Sequence, residues 1–215
     1  MRESLKLTLV TPPAALPLTL DEARQHLRLD DADSFDEALI AALTRTVMQA
    51  AERYTGRALM TQVWDLHLDR WPASQATEAL WEGIRIGADR PPRARAVTLP
   101  RPPLQGVVHV KTYDEADAAT LWPAADYFVD TASTPGRLAA RAGRELPLPG
   151  RAANGIEIRF TAGYGAAPAD VPAPLRQGML RLLAELYEHR GEDADSAFRN
   201  AGAERLWRPY RQVGL

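Results

Sequence analysis

The sequence predicts an α+β protein: a helical base, made by N-terminal helices and a C-terminal helix packed together, with an antiparallel β-domain inserted between them. Three observations lead there. Apolar residues recur at steps of three and four near both ends of the chain, from Leu20 to Tyr54 and from Leu175 to Leu186. In the middle the period falls to two, as in Trp64, Leu66 and Leu68 alternating with Asp65, His67 and Asp69. The strand-like runs that follow have no helical stretch between them, which argues against βαβ units and for an antiparallel sheet or small barrel. No helix can bury its stripe alone, so the two flanks are expected to pack on each other. The expected boundaries are 1–60 for the N-terminal part of the helical domain, 61–165 for the β insert and 166–215 for the C-terminal helix and tail.

Taken in order, the chain opens with a short apolar stretch, Leu5 to Val10, and a proline-rich connector. Thr19-Leu20-Asp21-Glu22 has the spacing of a capping box, with Glu22 placed to reach back to the Thr19 amide. A short helix with Leu20, Ala23 and Leu27 on one face follows and runs out at the acidic LDDAD. Ser34 to Glu37 repeats the capping pattern and opens a longer helix with Leu39, Leu43, Val47, Ala50 and Tyr54 on one face, closed by Gly56. After the first strand from Gln62, further strands are expected at Ile84–Ile86, Ala96–Leu99, Val107–Tyr113, Tyr127–Asp130 and Ile156–Phe160, each bounded by Pro, Gly or Asn-Gly turn signals. The string Thr161-Ala162-Gly163-Tyr164-Gly165 then reads as a strand-to-helix hinge at Gly163, Tyr164 and Gly165: the glycines allow the turn, and Pro168, Pro172 and Pro174 stiffen the route onward. The third helix carries Leu175, Met179, Leu182, Leu183 and Leu186 as its stripe and ends at Gly191. The last segment is polar and Arg-rich, with isolated large residues at Phe198, Leu206, Trp207 and Tyr210.

Composition narrows the function classes. With 46% hydrophobic and 25% charged residues the chain is ordinary for a globular protein, and its net charge of −2 argues against non-specific coating of nucleic acid. There is no cysteine, so disulfides, thiolate-bound zinc and thiol catalysis are excluded. TAGYG looks like a potassium-channel filter, but no apolar run reaches the roughly 18 residues a membrane span needs. A membrane partner is not expected.

The search for chemistry is largely negative. His26, His67, His109 and His189 are far apart in sequence and lack metal-ligand spacing; His67 and His109 are expected to be solvated on outer strand faces. The acidic run from Asp30 to Glu37 fails as a calcium loop, since Asp36 stands where glycine is needed and Phe35 at a ligand position. Asp65 and Asp69, about 13 Å apart along a strand, read as exposed acids rather than an acid–base pair. Arg85, Arg90, Arg93, Arg95 and Arg101 form a basic loop without interleaved aromatics, hence a solvated or subunit-facing loop. No enzyme activity and no cofactor or metal is expected. In the tail, Leu206, Trp207, Arg208, Tyr210 and Arg211 combine residue types enriched in interface hot spots, and the open alternative is that Leu206, Trp207 and Tyr210 pack on the chain's own helices.

The series YTGRAL…TQVW, PPLQGVV, FTAGYG and VPAPLRQ…LYEHR, in this order across nearly the whole chain, resembles the head–tail connector (adaptor) proteins of tailed phages and of the related gene transfer agents. The resemblance implies a structural role at the virion head–tail junction, with the protein made in the bacterial host cytoplasm. It implies a ring, usually of twelve copies, that packs beneath the portal protein and offers the next tail or stopper protein a docking surface. DNA would pass through the channel without sequence-specific binding. It also implies that the C-terminal segment, here Ala203 to Leu215, engages the portal. The rival expectation is a β-domain binding module for carbohydrate or a host surface, with Trp71, Trp81 and Trp122 lining a groove.

Overall fold

The computed structural model describes residues 6–29, 36–72, 96–190 and 194–212. In chain order the elements are β1 (Lys6–Thr11), α1 (Leu20–Leu27), α2 (Glu37–Thr55), β2 (Gln62–Leu68), β3 (Ala96–Thr98), β4 (Leu104–Tyr113), β5 (Ala119–Leu121), β6 (Tyr127–Asp130), β7 (Arg137–Ala140), β8 (Ile156–Ala162), α3 (Ala173–Glu188), α4 (Ala194–Asn200) and α5 (Ala203–Trp207). The strand expected at Ile84–Ile86, the Ser34 cap, Trp81 and the arginines 85, 90, 93 and 95 lie outside the described residues. The chain divides into two compact units, a sheet unit (Met1–Val10, Val63–Pro100, Leu104–Thr161) and a helical unit (Thr11–Gln62, Arg101–Pro103, Ala162–Leu215).

The helical unit joins the two flanks as the mixed α+β reading requires. Thr19 caps α1 through a bond from the Glu22 N–H to its Oγ1 at 3.1 Å, and Glu22 Oε2 accepts from the Thr19 N–H at 3.0 Å. The buried face of α2 is centred one residue beyond the expected stripe: Ile40, Thr44, Val47, Met48 and Ala51 are buried, while Leu43, Ala50 and Tyr54 flank them half-exposed. That face packs on α3, which buries Leu175, Gly178, Met179, Leu182 and Leu183. Polar ties close the rim. Arg24 of α1 bonds Glu37 of α2 at 2.9 Å, Arg176 of α3 bonds Glu22 of α1, and Asp36 accepts from both Tyr187 and Arg190.

The tail belongs to this core. Ala197, Ala203 and Trp207 are fully buried, and Trp207 forms a tilted aromatic cluster with Tyr54 and Phe198 at centroid distances of 6.1 and 5.6 Å. Its indole N–H donates to the Leu175 carbonyl at 3.1 Å. Gly178 makes room for it: a Cβ there would lie 2.2 Å from the indole nitrogen.

In the sheet unit a five-stranded sheet has the order β1-β2-β8-β4-β5 and a three-stranded sheet the order β3-β7-β6. Pairing is antiparallel for β4 with β5, β3 with β7 and β6 with β7. One face of the larger sheet is apolar, with Ile156, Ile158 and Phe160 of β8 beside Trp64 and Leu66 of β2 and Val110 of β4. The opening residues, expected to belong with the helices, instead form β1 at the sheet edge; Lys6-Leu7-Thr8-Leu9 alternates with period two and pairs on its inner side with β2. Arg101–Pro103 goes the other way, into the helical unit.

Gly178→Ala is therefore expected to force the indole and α3 apart and to cost about 1–3 kcal/mol by overpacking. Urea denaturation checks it, and an unchanged midpoint would mean that the contact is slack.

Candidate functional site

Two surfaces carry the polar chemistry of the described residues, one in each unit. On the sheet unit, the face opposite the apolar one presents Asp65 and His67 from β2, Glu157 and Arg159 from β8, and His109, Lys111 and Tyr113 from β4. Asp65 is 7% exposed and receives a two-pronged bond from Arg159, with Nε to Oδ1 and Nη2 to Oδ2 both at 2.8 Å. This corrects the reading of Asp65 as a solvated strand acid: a guanidinium on the neighbouring strand compensates its burial. Asp69 stays at the surface, where it accepts from Lys6 at 2.9 Å and from the Asn154 N–H at 2.7 Å.

Glu157 is the centre of the second cluster. Its Oε1 accepts from His109 Nε2 at 2.8 Å, its Oε2 accepts from the Tyr113 hydroxyl at 2.7 Å, and Lys111 Nζ stands 3.8 Å away. His109 is thus a half-buried strand-to-strand partner, not a freely solvated histidine. Burial alone would push the Glu157 carboxyl up, but the His109 and Tyr113 bonds and the Lys111 charge outweigh it and leave the group below its ordinary value. The bond to Glu157, with burial, pushes the Tyr113 hydroxyl up, the reverse of what an activated nucleophile needs. The chemistry of the cluster is cohesion between β4 and β8. Beside it is an open depression of about 380 Å³ whose lining includes Lys6, Thr8, His67, Tyr113, Asn154 and Glu157.

In the helical unit the residues singled out in the tail separate into two sets. Trp207 is 0% exposed and takes the second of the two readings left open by the sequence, packing on its own helices, because α3 and the aromatic cluster enclose it within its own unit. Leu206 and Tyr210 are half-buried against the same core, whereas Arg208 and Arg211 are exposed, with Arg205 and Pro209 beside them. The tail is also strapped down by its backbone: Arg57 Nε donates to the Tyr210 carbonyl at 2.6 Å, and the Gln212 N–H donates to the Thr55 carbonyl at 2.8 Å. Arg211 lies over the Tyr54 ring, 5.5 Å from its centroid. Sequence reasoning missed Arg101 as a capping residue; it donates to the Glu52 carbonyl near the C-terminal end of α2 at 3.3 Å.

Gly163, Tyr164 and Gly165 directly follow β8 and are held by three backbone bonds: Gly163 N–H to Pro103, Tyr164 N–H to Leu59, and Thr61 N–H to the Gly165 carbonyl, at 2.9, 3.1 and 2.9 Å. Gly163 has φ +131°, and a Cβ there would fall 2.2 Å from the Met60 carbonyl oxygen. The junction is a fastened turn. Among the described residues no group of three or more His, Asp or Glu could hold a metal ion, and no helix is long and apolar enough to cross a membrane.

No family model matches the chain, and no curated protein matches it. Solved structures do. A chain from the neck of an empty gene transfer agent particle, computed with C6 symmetry, has a TM-score of 0.75 at 28% identity over 97% of this chain and 96% of that one. A chain from the virion of a native gene transfer agent particle gives 0.74 at 26% identity, over 98% and 97%. One from the neck of a native particle, computed with C12 symmetry, gives 0.67 at 26% identity, over 99% and 97%. The likeness runs the full length in both sequence and fold, and it bears out the resemblance to head–tail connectors drawn from the sequence motifs. The chain has the build of a structural particle protein.

The sign of the pH dependence follows from the carboxylates. Glu157 has a folded value below its unfolded one, so its contribution is complete above the usual glutamate range and is lost as pH falls through the folded value. Asp130 is held down to about 2 by the Ser133 hydroxyl, then Arg137 and the Ser133 N–H, and acts in the same direction at the β6–β7 turn. Stability is expected to fall between about pH 5 and pH 2. Glu157→Gln should flatten the upper part of that fall and lower stability at neutral pH by about 1–3 kcal/mol. Urea denaturation followed by tryptophan fluorescence at several pH values measures both.

Proposed function

We propose that this chain is a head–tail connector (adaptor) subunit of a tailed phage or gene transfer agent particle. It forms a ring below the portal, links capsid to tail and continues the DNA channel. The observation that carries the reading is the full-length likeness to neck chains of such particles, two of them from necks computed with C6 and C12 symmetry. Physical features support it. A ring subunit needs head-to-tail contacts that close about an axis. A near-neutral chain, with net charge −2, suits a channel wall past which DNA slides, because each fixed phosphate contact retards it. Copies of the chain, the portal and a downstream tail or stopper protein are the partners in this reading, and assembly in the host cytoplasm precedes its place in the virion.

The portal-facing surface is proposed to be the outward side of the tail, Arg205, Arg208 and Arg211 with the half-buried Leu206 and Tyr210 at its base. Arginine forks suit a bidentate contact to portal carboxylates. Two of the three tryptophans of the carbohydrate-binding rival are core residues: Trp71 and Trp122 are buried at 7% and 5% exposure and pack edge-on at 5.6 Å, with the Trp71 N–H committed to the Pro147 carbonyl at 2.7 Å.

Counting this chain per portal protein in purified particles from the source culture tests the function. The expected result is a ratio near one, and absence from complete particles would overturn it. Arg205→Glu with Arg208→Glu should leave the circular dichroism and melting of the purified chain intact. The same pair should lower incorporation about tenfold or more, the loss produced by ~1.4 kcal/mol of contact energy. Unchanged incorporation would move the portal contact elsewhere.

A further inference from the structure

Among the described residues the five-stranded sheet ends in two edges with no further strand beside them. β1 is one of them: six residues, exposed apart from half-buried Leu7, with neither proline nor glycine inside it. Leu9 and Val10 on it are 41% and 39% exposed. β5 is the other: all three residues are exposed, Leu121 at 59%. Edges of this kind present unpaired N–H and C=O groups, and proteins that stay single usually blunt them with prolines, bulges or inward charges. Among the described residues no strand lies outside either edge, and the one charge on β1, Lys6, stands at its start.

The two edges also suit each other. Each carries an exposed branched apolar residue, Val10 or Leu121. The turn leading into β5 is exposed, and its Asp117 is already paired with Arg151 at 3.0 Å, as Lys6 at the start of β1 is with Asp69 at 2.9 Å, so the match between the edges is apolar and backbone rather than ionic. Because the edges belong to opposite ends of one sheet, a contact between them is heterologous. Where its rotation closes about an axis it makes a ring, and neither edge of this sheet is then left free.

We propose that copies of this chain join head to tail by adding β1 of one copy to β5 of the next, so that the sheet continues from subunit to subunit. The proposal rests on the ring reading above and specifies the contact that makes the ring. Backbone bonding supplies the attraction, and the exposed Val10–Leu121 apolar pair supplies the register.

The chain has no cysteine, so introduced thiols report this contact alone. Thr8 and Tyr113 line the same depression, and Ala119 is the β5 partner of Tyr113, so Thr8 and Ala119 share one face of the sheet. Purified Thr8→Cys chain is mixed at high concentration with Ala119→Cys chain under mild oxidation, and Val10→Cys with Leu121→Cys tests the apolar pair itself, two residues further along each strand. Thr46→Cys on the exposed side of α2 is the control partner. The mixed disulfide dimer should exceed the control by roughly tenfold or more, since adjoining edges hold the thiols at an effective concentration on the order of millimolar. The doubly substituted chain should give a ladder of multimers. Yields equal to the control for both cysteine pairs would overturn the proposal, as would Thr8→Cys pairing chiefly with itself, which signifies a two-fold contact. Particle counts report separately: a chain present in particles that forms no mixed dimer removes the edge contact and leaves the ring, and the converse removes the particle role and leaves the edge contact.

Discussion

The enclosure of the Trp207 indole against Gly178 is the constraint on which the helical unit depends. That unit is made from three stretches far apart in the chain, 11–62, 101–103 and 162–215, and the helices of the first and last have apolar faces that cover each other. The indole touches α3 at its thinnest point, donates its N–H to the Leu175 carbonyl, and meets the Tyr54 ring of α2 at a tilt in the aromatic cluster. Loss of a buried tryptophan of this kind costs about 3–5 kcal/mol, a large part of the stability of a domain. The tail is thus the last piece of a fold, and only its outward side is left for a partner.

The sheet unit solves a different problem. Its larger sheet has one apolar and one polar face, and the polar face is cross-linked by Arg159–Asp65 and by Glu157 with His109 and Tyr113. These are bonds between side chains on neighbouring strands, so they hold register as well as charge. A stiff sheet with open edges suits a particle component, which must keep its shape under load and meet its neighbours by geometry rather than by binding small molecules.

The sequence made the elements legible where periodicity runs long. The stripe of α3, the Thr19 cap and the strands around Trp64, Val110 and Ile158 all follow from spacing. β5 and β7, at three and four residues, are too short to show a period, and β1 was hidden by the proline connector that follows it. Trp207 was ambiguous because its neighbours Arg205, Arg208 and Arg211 face water, and a lone large residue in a polar run does not reveal which side it turns to. Glu157 and His109 were unremarkable apart; only the adjacency of β4 and β8 makes them partners, and that adjacency is set by tertiary pairing across 48 residues of chain.

The central claim is that the chain is a structural ring subunit at the neck of a tailed particle. The most direct measurement is an electron-microscopic reconstruction of the head–tail junction of particles from the source culture. The account predicts a ring at the junction into which both the helical and the sheet unit fit, repeated about the particle axis. Junction density that this fold does not fit, or the chain found only at the distal end of the tail, would contradict it.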